Sequence, residues 1–514
     1  MNRDKSALPH GWEVVPLQDV CEILDSMRIP VNVSERNTRI EGKNLDELYP
    51  YYGATGQVGW IDDFIFNGDF VLIGEDGAPF LDPFKEKAYV AKGKFWVNNH
   101  AHIVKAYVSN NFLKYYLNQV DYSDHVTGTT RLKLNQSKLR NIEVAFPPEN
   151  EQHRIVTKIE ELFSELDAGV AELERVRAQL KRYRQALLKA AFEGRLTEQW
   201  RRARAVELEP ADVLLSRIRV QRWSRWQQQL AAWEQAVAEW EAAGKPGKKP
   251  RKPRKPKELP PLTEKELAEL PELPEGWAWV RLGEIAEILG GVTKGRKLDG
   301  KKTIELPYLR VANVQDGYLD LSVVKEIEVL PEDLAKYRLV PGDILYTEGG
   351  DKDKLGRGTV WEGQIENCIH QNHVFRARVS NEFFNSKYVA YYSQTQTAKR
   401  YFFRQGKQTT NLASINMTVL SNLPLPLIPK QEQEEVIAKL ETYLSTVEYL
   451  DQTIDQSLQQ AAALRQAILK KAFSGQLVPQ DPGDEPAAVL LERIRAEKEK
   501  NLVTNKKTPR RRRT

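Results

Sequence analysis

Few residues of this chain have the spacing that chemistry on a substrate requires. The pairs His100/His102 and His370/His373 stand at matching places in the two halves. Two histidines without a third ligand beside them are more typical of structural side chains than of a metal site. The segment GDILYTEGGDKDK at 342–354 contains the acids and lysines of a nuclease site, but these residue types are too common to be diagnostic. We therefore predict no metal ligands and no catalytic residues.

Two other segments match enzyme motifs only in part. GGVTKGRK at 290–297 has Arg296 where a phosphate-binding loop needs lysine, which argues against a nucleotide-driven motor. FPPEN at 146–150 has the two prolines of an adenine or cytosine methyltransferase loop, but neither Asp nor Asn precedes them. The sequence predicts a protein that is not an enzyme and holds no cofactor of its own.

The composition indicates several folded domains. A chain of 514 residues is too long for one core, and its 41% hydrophobic content is enough for packed interiors. No apolar run is long enough to span a membrane, and the first residues lack the apolar region of a signal peptide. Two cysteines, Cys21 and Cys368, cannot form a disulfide framework. We expect a soluble, cytoplasmic, metal-free protein.

The net charge of +5 is distributed unevenly along the chain. Residues 245–257 carry eight positive charges and no acid, and the last ten residues carry six more. Removing these 14 from the 76 basic residues leaves 62 against 71 acidic ones. The folded parts therefore lack the overall basic character of a protein that binds nucleic acid alone. Any binding to DNA must use local patches or the charge of a partner.

The basic segment 245–257 follows a helical stretch rich in tryptophan. Four prolines exclude a helix from the basic segment itself, and we expect a stiff, extended linker there. Either contact with a phosphate backbone or simple solvation of the linker would explain its charge. The preceding stretch has apolar residues at helical spacing, which favours a packed helix face over a functional aromatic cluster. These residues are Trp223, Trp226, Leu230, Trp233, Val237 and Trp240.

Internal repeats divide the chain into two copies. Residues 8–24 match 273–289 with nine identities in 17 at an offset of 265. Residues 141–163 match 422–444 at an offset of 281, and the same offset relates RQALLKAAFEGRL to RQAILKKAFSGQL. The segments between these matches hardly resemble each other. We interpret the chain as a tandem duplication whose two interiors have diverged.

A long helix with heptad spacing is predicted near the end of each copy. Both stretches keep apolar residues at alternating intervals of three and four over ten positions, broken once in each copy, by Gly169 and by Ser457. Such regularity favours two helices of about 60 Å that pair with each other. The first stretch has Ile155, Ile159, Leu162, Leu166, Leu173, Val176, Leu180, Tyr183 and Leu187. The second has Val436, Leu440, Tyr443, Val447, Leu450, Ile454, Ala461, Leu464 and Ile468.

Several motifs in this order resemble the specificity subunit of type I restriction–modification systems. They are YYGATGQV at 51–58, GTTRLKLNQSKLRNIEVAFPPENEQHRIV at 128–156, GKQTTNLASINMTVLSNLPLPLIPKQEQEEVI at 406–437, and the closing pattern RQAxLKxAFxGxL at 184–196 and 465–477. Together with the repeat, the resemblance covers nearly the whole chain. The first of these motifs is clear only in the first copy, as expected if the second belongs to another subclass.

The resemblance implies both a fold and a set of partners. The fold would be mixed α and β (α+β), with two tandem target recognition domains and an antiparallel coiled coil between them. Each domain would read one half of a split, asymmetric site in double-stranded DNA, without catalysis by this chain. The partners would be two methyltransferase subunits that modify adenine and two restriction–translocation subunits. These partners would use S-adenosylmethionine, ATP and Mg²⁺.

The candidates for DNA contact lie in loops rich in residue types that read base edges. An ordinary solvated loop residue is the alternative for each of them. In the first copy they are Tyr52, Thr55, Gln57, Thr129, Thr130 and Arg131. In the second copy they are Lys352, Lys354, Arg357, Gln408, Thr409, Thr410 and Asn411.

The domain boundaries follow from the repeats and the helical patterns. The predicted parts are 1–148 (first recognition domain), 149–197 (first long helix), 198–244 (Trp-rich helical extension), 245–272 (Lys/Pro-rich linker), 273–428 (second recognition domain), 429–476 (second long helix) and 477–514 (C-terminal segment with a basic tail).

Other functions also fit the sequence: a coiled-coil scaffold with two protein-binding heads, the specificity subunit of a fused restriction–methylation enzyme, or an enzyme with an unrecognised site.

Overall fold

The chain folds into two compact units. Unit 1 comprises Met1–Val176 with Thr453–Thr514, and unit 2 comprises Arg177–Gln452. The computed structural model describes residues 8–247, 249–256, 258–298, 300–350, 354–408 and 413–507. The basic C-terminal residues 508–514 lie outside this range. None of the described helices is both long enough and apolar enough to cross a membrane.

Unit 1 is built on two small four-stranded sheets whose strands β6, β8 and β9 are mostly buried. One sheet has the strand order β2-β9-β6-β7 and the other β4-β3-β8-β5. Two further pairs, β1-β12 and β10-β11, are antiparallel. The strands are β1 Glu13–Pro16, β2 Cys21–Ile23, β3 Tyr49–Gly53, β4 Gly56–Ile61, β5 Phe66–Asn67, β6 Phe70–Gly74, β7 Ala88–Ala91, β8 Lys94–Val97, β9 Ala101–Ala106, β10 Val126–Thr127, β11 Lys133–Leu134 and β12 Glu143–Phe146.

Helices cover the first of these sheets and close the core. The apolar face of α3 packs on β6, β7 and β9, and Ile155 and Ile159 of α5 complete the same interior. The helices of the first half are α1 Leu17–Val20, α2 Val33–Ile40, α3 Asn110–Gln119, α4 Gln136–Arg140, α5 Glu149–Phe192, α6 Glu198–Ala203 and α7 Ala211–Ala242.

Unit 2 repeats this plan with its own strands. The sheet β14-β21-β17-β19 corresponds to the first sheet of unit 1, and β16-β15-β20 corresponds to the second. The remaining groups are β13-β24 and β18-β23-β22. The strands are β13 Ala278–Arg281, β14 Ala286–Gly290, β15 Ile304–Leu309, β16 Lys325–Val329, β17 Ile344–Thr347, β18 Gly349–Gly350, β19 Gly358–Val360, β20 Ile369–His370, β21 Val374–Val379, β22 Lys407–Gln408, β23 Ala413–Ser414 and β24 Pro424–Leu427.

The helices of the second half again pack on one sheet. Tyr388 and Val389 of the first helix after β21 are fully buried against that sheet. These helices are α8 Glu264–Ala268, α9 Leu282–Ile285, α10 Pro331–Tyr337, α11 Ser386–Ser393, α12 Gln396–Gln405, α13 Met417–Ser421, α14 Lys430–Ala472 and α15 Ala487–Lys507. The mixed α and β fold predicted from the sequence is confirmed, with the repeat in each half.

The two long helices, α5 and α14, pack antiparallel. Within unit 2, Arg177 Nε lies 3.2 Å from Asp451 Oδ1, and Lys439 Nζ donates to the Leu196 carbonyl, also at 3.2 Å. Residues further along α5 therefore contact residues nearer the start of α14, as antiparallel helices require. Within unit 1, the Arg465 guanidinium lies over the Phe163 ring and pairs with Asp167. Both helices run through the boundary between the units.

The residues predicted to form the helix seam differ in burial. Ile155, Ile159, Leu187, Val436, Leu440, Val447, Ile454 and Ile468 are buried. Leu162, Leu166, Leu173, Val176 and Leu180 are half-buried. Four predicted seam residues are instead exposed and lie outside the buried stripe: Tyr183 (48%), Tyr443 (43%), Leu450 (41%) and Leu464 (50%). Neighbouring side chains that the heptad spacing does not include are buried instead: Phe163, Leu188, Ile437, Leu444 and Leu469.

The globular domain of each unit packs against a helix from the end of the other copy. In unit 1, Ala487 at the start of α15 donates its N–H to the Gly11 carbonyl at 2.9 Å. In unit 2, Ala211 at the start of α7 makes the same bond to the Gly276 carbonyl at 3.0 Å. The two helices begin in EPADVLLSRIR and EPAAVLLERIR, an additional repeat that was not among the predicted ones.

Candidate DNA interface

Three loops of unit 1 meet at Glu75, the residue that follows β6. Its backbone N–H donates to the His100 carbonyl at 2.7 Å, and its carbonyl accepts from the Leu134 N–H at 2.8 Å. We call this meeting point the Glu75 junction (residues 75, 100 and 134). These two backbone bonds join the end of β6, the loop before β9 and strand β11.

Arg131 projects from the Glu75 junction toward solvent. Its guanidinium donates to Asp76 Oδ1 at 2.7 Å, and His100 Nδ1 lies 2.7 Å from the same oxygen. The Arg131 side chain is nevertheless 61% exposed. A guanidinium held on one side by a carboxylate keeps other N–H groups for an outside acceptor, and guanine O6 and N7 form the acceptor pair that arginine fits best.

A tight turn sets the position of Arg131. Gly128 has φ +95°, and a Cβ at this position would lie 2.6 Å from the Arg131 carbonyl oxygen. Only glycine tolerates this arrangement without a backbone shift. Thr129 and Thr130 occupy the same turn, between β10 and β11, and both are exposed.

The β3–β4 hairpin brings the other unit 1 candidates to the same edge. Thr55 and Gln57 are exposed near its turn, whereas Tyr52 is half-buried with its ring against Phe95. Tyr52 therefore supports the hairpin rather than facing solvent. The turn itself approaches β6, because a Cβ on Gly74 would lie 3.1 Å from the Ala54 carbonyl oxygen.

Asn98 links this hairpin to the Glu75 junction. Its N–H donates to the Tyr52 carbonyl at 3.0 Å, and its side-chain oxygen accepts from the His100 N–H at 2.8 Å. His100 in turn contacts Asp76, which holds Arg131. The structure thus brings together Thr55, Gln57, Thr129, Thr130 and Arg131 on one edge of unit 1.

A buried polar cluster lies beneath this edge. Ligand atoms of Asp25, Glu75 and His102 lie within 4.8 Å of one another, a spacing that could suit a metal ion. Two cations already lie beside these carboxylates, however. Glu75 pairs with Arg28 at 2.6 Å and with Lys133 at 3.0 Å. The two positive charges balance the two carboxylates, so the cluster fits a structural network, and we assign no metal to it.

The environment of these carboxylates favours their charged forms. Burial alone would raise the pKa of Asp25, but hydrogen bonds with the His102 ring and from the Ile103 N–H hold it below its ordinary value. The pKa of Glu75 is lowered in the same way, because hydrogen bonds from Arg28 and Lys133 outweigh the effect of burial. Both carboxylates are therefore ionised at neutral pH.

Unit 2 has the same backbone arrangement at Glu348, the residue that follows β17. Its N–H donates to the His373 carbonyl at 3.0 Å, and its carbonyl accepts from the Ile415 N–H at 2.8 Å. We call this the Glu348 junction (residues 348, 373 and 415). Its side chains differ from those of unit 1, because the Glu348 carboxylate itself contacts His373 Nδ1 at 2.5 Å.

Only part of the second candidate set lies among the described residues. Arg357 is half-buried, and its guanidinium donates to Gln315 Oε1 at 2.6 Å. The Lys354 carbonyl accepts from the Thr347 hydroxyl at 3.3 Å, next to the Glu348 junction. Gln408 pairs through its backbone with Ala413. Lys352, Thr409, Thr410 and Asn411 lie outside the described residues.

The predicted match between the pairs His100/His102 and His370/His373 is only partly correct, because one histidine of each pair has a counterpart and the other does not. His100 and His373 occupy the same place in the two junctions. His102 pairs with Ile73 across β6–β9, and the equivalent pair in unit 2 is Phe375 with Tyr346. His370 takes the place of Val97. His370 lies on β20, which runs parallel to β15, and Val97 lies on β8, which runs parallel to β3. The error arose because the offset between copies drifts along the chain.

The two acidic residues at the centres of the junctions were not predicted as site residues. Each directly follows a buried strand and has a glycine within the next two residues, in GEDG at 74–77 and in TEGG at 347–350. An acid at the end of a buried strand in both copies is a signal that the sequence offered. Asp76 could not be found this way, because unit 2 has Gly349 at that place.

Comparison with known proteins adds family membership to this geometry. The family model described as "Type I restriction modification DNA specificity domain" matches residues 9–175 and again 274–460. The type I restriction enzyme EcoDI specificity subunit of Escherichia coli is 24% identical over 511 residues, 96% of each chain. A putative type I restriction enzyme specificity subunit of Haemophilus influenzae, S.HindORF215P, is 36% identical over 149 residues, 29% of this chain and 36% of that protein.

A solved structure gives the same fold. It comes from work on complex assembly and conformational transition of the type I R-M system, and it superposes with a TM-score of 0.53 at 19% identity. The match covers 91% of this chain and 99% of the other. With a family domain in each half and a related protein along nearly its whole length, this chain belongs to the family of type I restriction–modification DNA specificity subunits.

Proposed function

We propose that this chain reads a split, asymmetric DNA site, with one half-site for each recognition domain. The observation that carries the proposal is the pair of junctions. The Glu75 and Glu348 junctions share their backbone hydrogen bonds but display different side chains. In unit 1 an exposed arginine is held by an aspartate, whereas unit 2 has a glycine at the place of that aspartate. Two domains with the same backbone arrangement and different side chains should recognise different base sequences.

The proposal includes a division of labour with partner subunits. This chain would carry out no chemistry, while two methyltransferase subunits modify adenine and two restriction–translocation subunits act on the bound DNA. S-adenosylmethionine, ATP and Mg²⁺ would be held by those subunits in the cytoplasm. The excess of acidic residues outside the two basic segments supports this view, because partners would then supply many of the phosphate contacts that dominate affinity.

The antiparallel helices α5 and α14 would set the distance between the two half-sites. A helix of 44 residues, such as α5, extends about 66 Å at 1.5 Å per residue. Inserting or deleting whole heptads in both helices should therefore change the length of the unread gap and leave both half-sites as they are. This outcome would separate a spacing role of the helices from a role in base recognition.

The test is a methylation map of DNA from cells that express the methyltransferase subunit encoded beside this chain. The map is recorded with the chain, without it, and with residues 273–428 replaced by those of a related subunit. We expect a split motif that requires the chain, and a replacement that changes one half of the motif only. An active, bound methyltransferase with no motif that depends on this chain would reject DNA reading and favour a protein-binding scaffold.

A further inference from the structure

A basic segment packs along the tryptophan face of α7 and leaves its charges outside. Trp233 Nε1 donates to the Pro250 carbonyl at 2.9 Å, and Trp240 Nε1 donates to the Pro246 carbonyl, also at 2.9 Å. Lys255 Nζ lies over the Trp223 ring at 4.8 Å. The predicted linker therefore runs back along the helix in the opposite direction. We call residues 223–247 and 249–256, which are this part of α7 and the described returning segment, the basic arm.

The spacing of the prolines explains why the charges face solvent. Pro250, Pro253 and Pro256 recur every third residue and are half-buried. A polyproline II segment has three residues per turn, so prolines at this interval share one face. The residues between them occupy the other two faces. These are the cations Arg251, Lys252, Arg254 and Lys255; they and Lys249, just before Pro250, are all exposed.

The cations of this segment have no acidic partners within the described part of the chain. None of the ion pairs there includes Lys245 or any of the five exposed cations between the prolines. Two of these cations, Lys252 and Lys255, lie over indole rings, a contact that positions an ammonium group without neutralising it. The arm therefore presents a row of fixed positive charge on a chain that is acidic on balance outside residues 245–257 and its last ten residues.

The arm is an addition to the duplicated fold. Arg222 of α7 donates to the Gly283 carbonyl, and Lys498 of α15 occupies the equivalent place, with a bond to the Asp19 carbonyl. Up to these residues the two helices serve the same structural role. Beyond them, Trp223 and Trp226 correspond to Glu499 and Leu502, so α15 lacks an aromatic face at those places. Within residues 8–176 and 453–507, the described part of unit 1, the recognition domain packs without such an arm, so this packing does not explain the arm.

We propose that the basic arm binds the phosphate backbone of duplex DNA, independently of sequence, while the recognition domains read bases. This inference rests on the proposed function. A regular row of cations suits a polyanion with regular charges, and duplex DNA has one phosphate per 1.7 Å of axis. The tryptophans hold the row in place, so little freedom is lost when it binds. The arm would add affinity and raise the rate of association without changing the motif.

The test measures the salt dependence of DNA binding by the full chain, assembled with its methyltransferase subunits. The probe is a duplex of arbitrary sequence, and the five exposed cations are all changed to glutamine. Each lost phosphate contact should lower the slope of log K against log salt by about 0.9. We expect a fall of about 2 or more, with the methylated motif unchanged. A fall in the slope of less than about 0.9, the value for one phosphate contact, would overturn the proposal.

Two further variants make the result decisive. The first exchanges lysine for arginine and arginine for lysine at the same five positions, which keeps the charge and should keep the slope. The second replaces residues 224–256 by a short Gly/Ser linker, which is feasible because Lys255 lies beside Trp223, and it should match the glutamine variant. An unchanged slope with weaker binding of the methyltransferase would instead assign the arm to an acidic protein surface. The probe of arbitrary sequence needs no recognition site. If the unaltered chain produces no methylated motif, that result therefore counts against the proposed function and not against the proposal for the arm.

Discussion

Trp277 donates its indole N–H to Glu432 Oε2 at 2.9 Å, where the first turn of α14 meets the start of the second recognition domain. Glu432 is fully buried and also accepts from Thr197 and Arg201 at 2.8 Å. Unit 1 has the same pair, Trp12 and Glu151, again at 2.9 Å. A tryptophan before the first strand and a glutamate on the long helix thus fix each recognition domain to its helix.

We predict that Glu432→Gln lowers the free energy of unfolding of unit 2 by roughly 2 kcal/mol, because charge-assisted hydrogen bonds contribute about 1.5–3 kcal/mol. Thermal unfolding with hydrogen exchange of α14 would measure the loss. Glu434→Gln, at an exposed position of the same helix, is the control and should leave stability unchanged. Equal stability of both variants would show that the Trp277 contact does not hold the domain to the helix.

Arg131→Gln should relax one position in one half of the DNA motif. The arginine is exposed and held by Asp76, and loss of a base contact costs about 1–3 kcal/mol at that position. Methylation mapping and competition binding with single-base variants would measure it. Asp76→Asn should weaken the same position less, because it loosens the arginine without removing it. Uniform weakening over all sequences would identify a phosphate contact instead.

Weaker packing of α15 should lower the stability of the first recognition domain and leave that of the second unchanged. Leu491 and Ile494 of α15 are buried in the core of unit 1, and Ile→Ala or Leu→Ala in a core costs about 2–5 kcal/mol. We expect Leu491→Ala to speed hydrogen exchange in β1 and β12 only. Leu214→Ala on α7 is the matched control and should speed exchange in β13 and β24 only. Faster exchange in both domains from either change would contradict the reciprocal packing.

His370 should make unit 2 less stable as the pH falls below neutrality. Burial lowers the pKa of His370 from 6.5 to about 4. Below about pH 6.5 the unfolded chain binds a proton at this histidine and the folded chain does not. The free energy of unfolding therefore decreases with falling pH until the folded group titrates near pH 4. Below that pH this group causes no further change. The loss amounts to roughly 3 kcal/mol.

The variant His370→Val, which copies the residue at Val97, should remove this pH dependence. Thermal unfolding of unit 2 between pH 7 and pH 4 is the measurement. His373→Gln is the control, since that ring is 53% exposed. A stability curve for His370→Val that still declines with the same slope over this interval would assign the effect to other groups.

The ends of each repeat were predictable because their packing is shared. Residues 8–24 and 273–289 contain β1 and β13, which pair with the strands beginning at Glu143 and Pro424, and both ends kept similar sequences. The interiors could be predicted only as β-rich, since their strands are short and their partners lie far apart in the chain. The helix seam followed the heptad only in part. Leu450 and Leu464 show that regular spacing does not fix which face of a helix is buried.

The candidate site was predictable by residue type and not by arrangement. Loops rich in threonine, glutamine and arginine marked one edge of unit 1, and the structure places Thr55 and Arg131 there. Asp76 and His100, which position Arg131, come from other strands, and their contact depends on tertiary pairing. The packing of the Lys/Pro segment on Trp233 was missed because the segment was assumed to be an isolated linker.

The pairing of β1 with β12 gives each recognition domain adjacent points of entry and exit. Val15 lies opposite Val144, and in the second copy Val280 lies opposite Leu425. The chain between these strands forms a cassette on a two-strand stem, and in the first copy α5 and α15 complete its core. Recombination within a gene could replace one cassette at a time, provided the stem and the tryptophan–glutamate contact are retained. New DNA specificities could then arise in single genetic events, with no change in the surfaces that partner subunits must recognise.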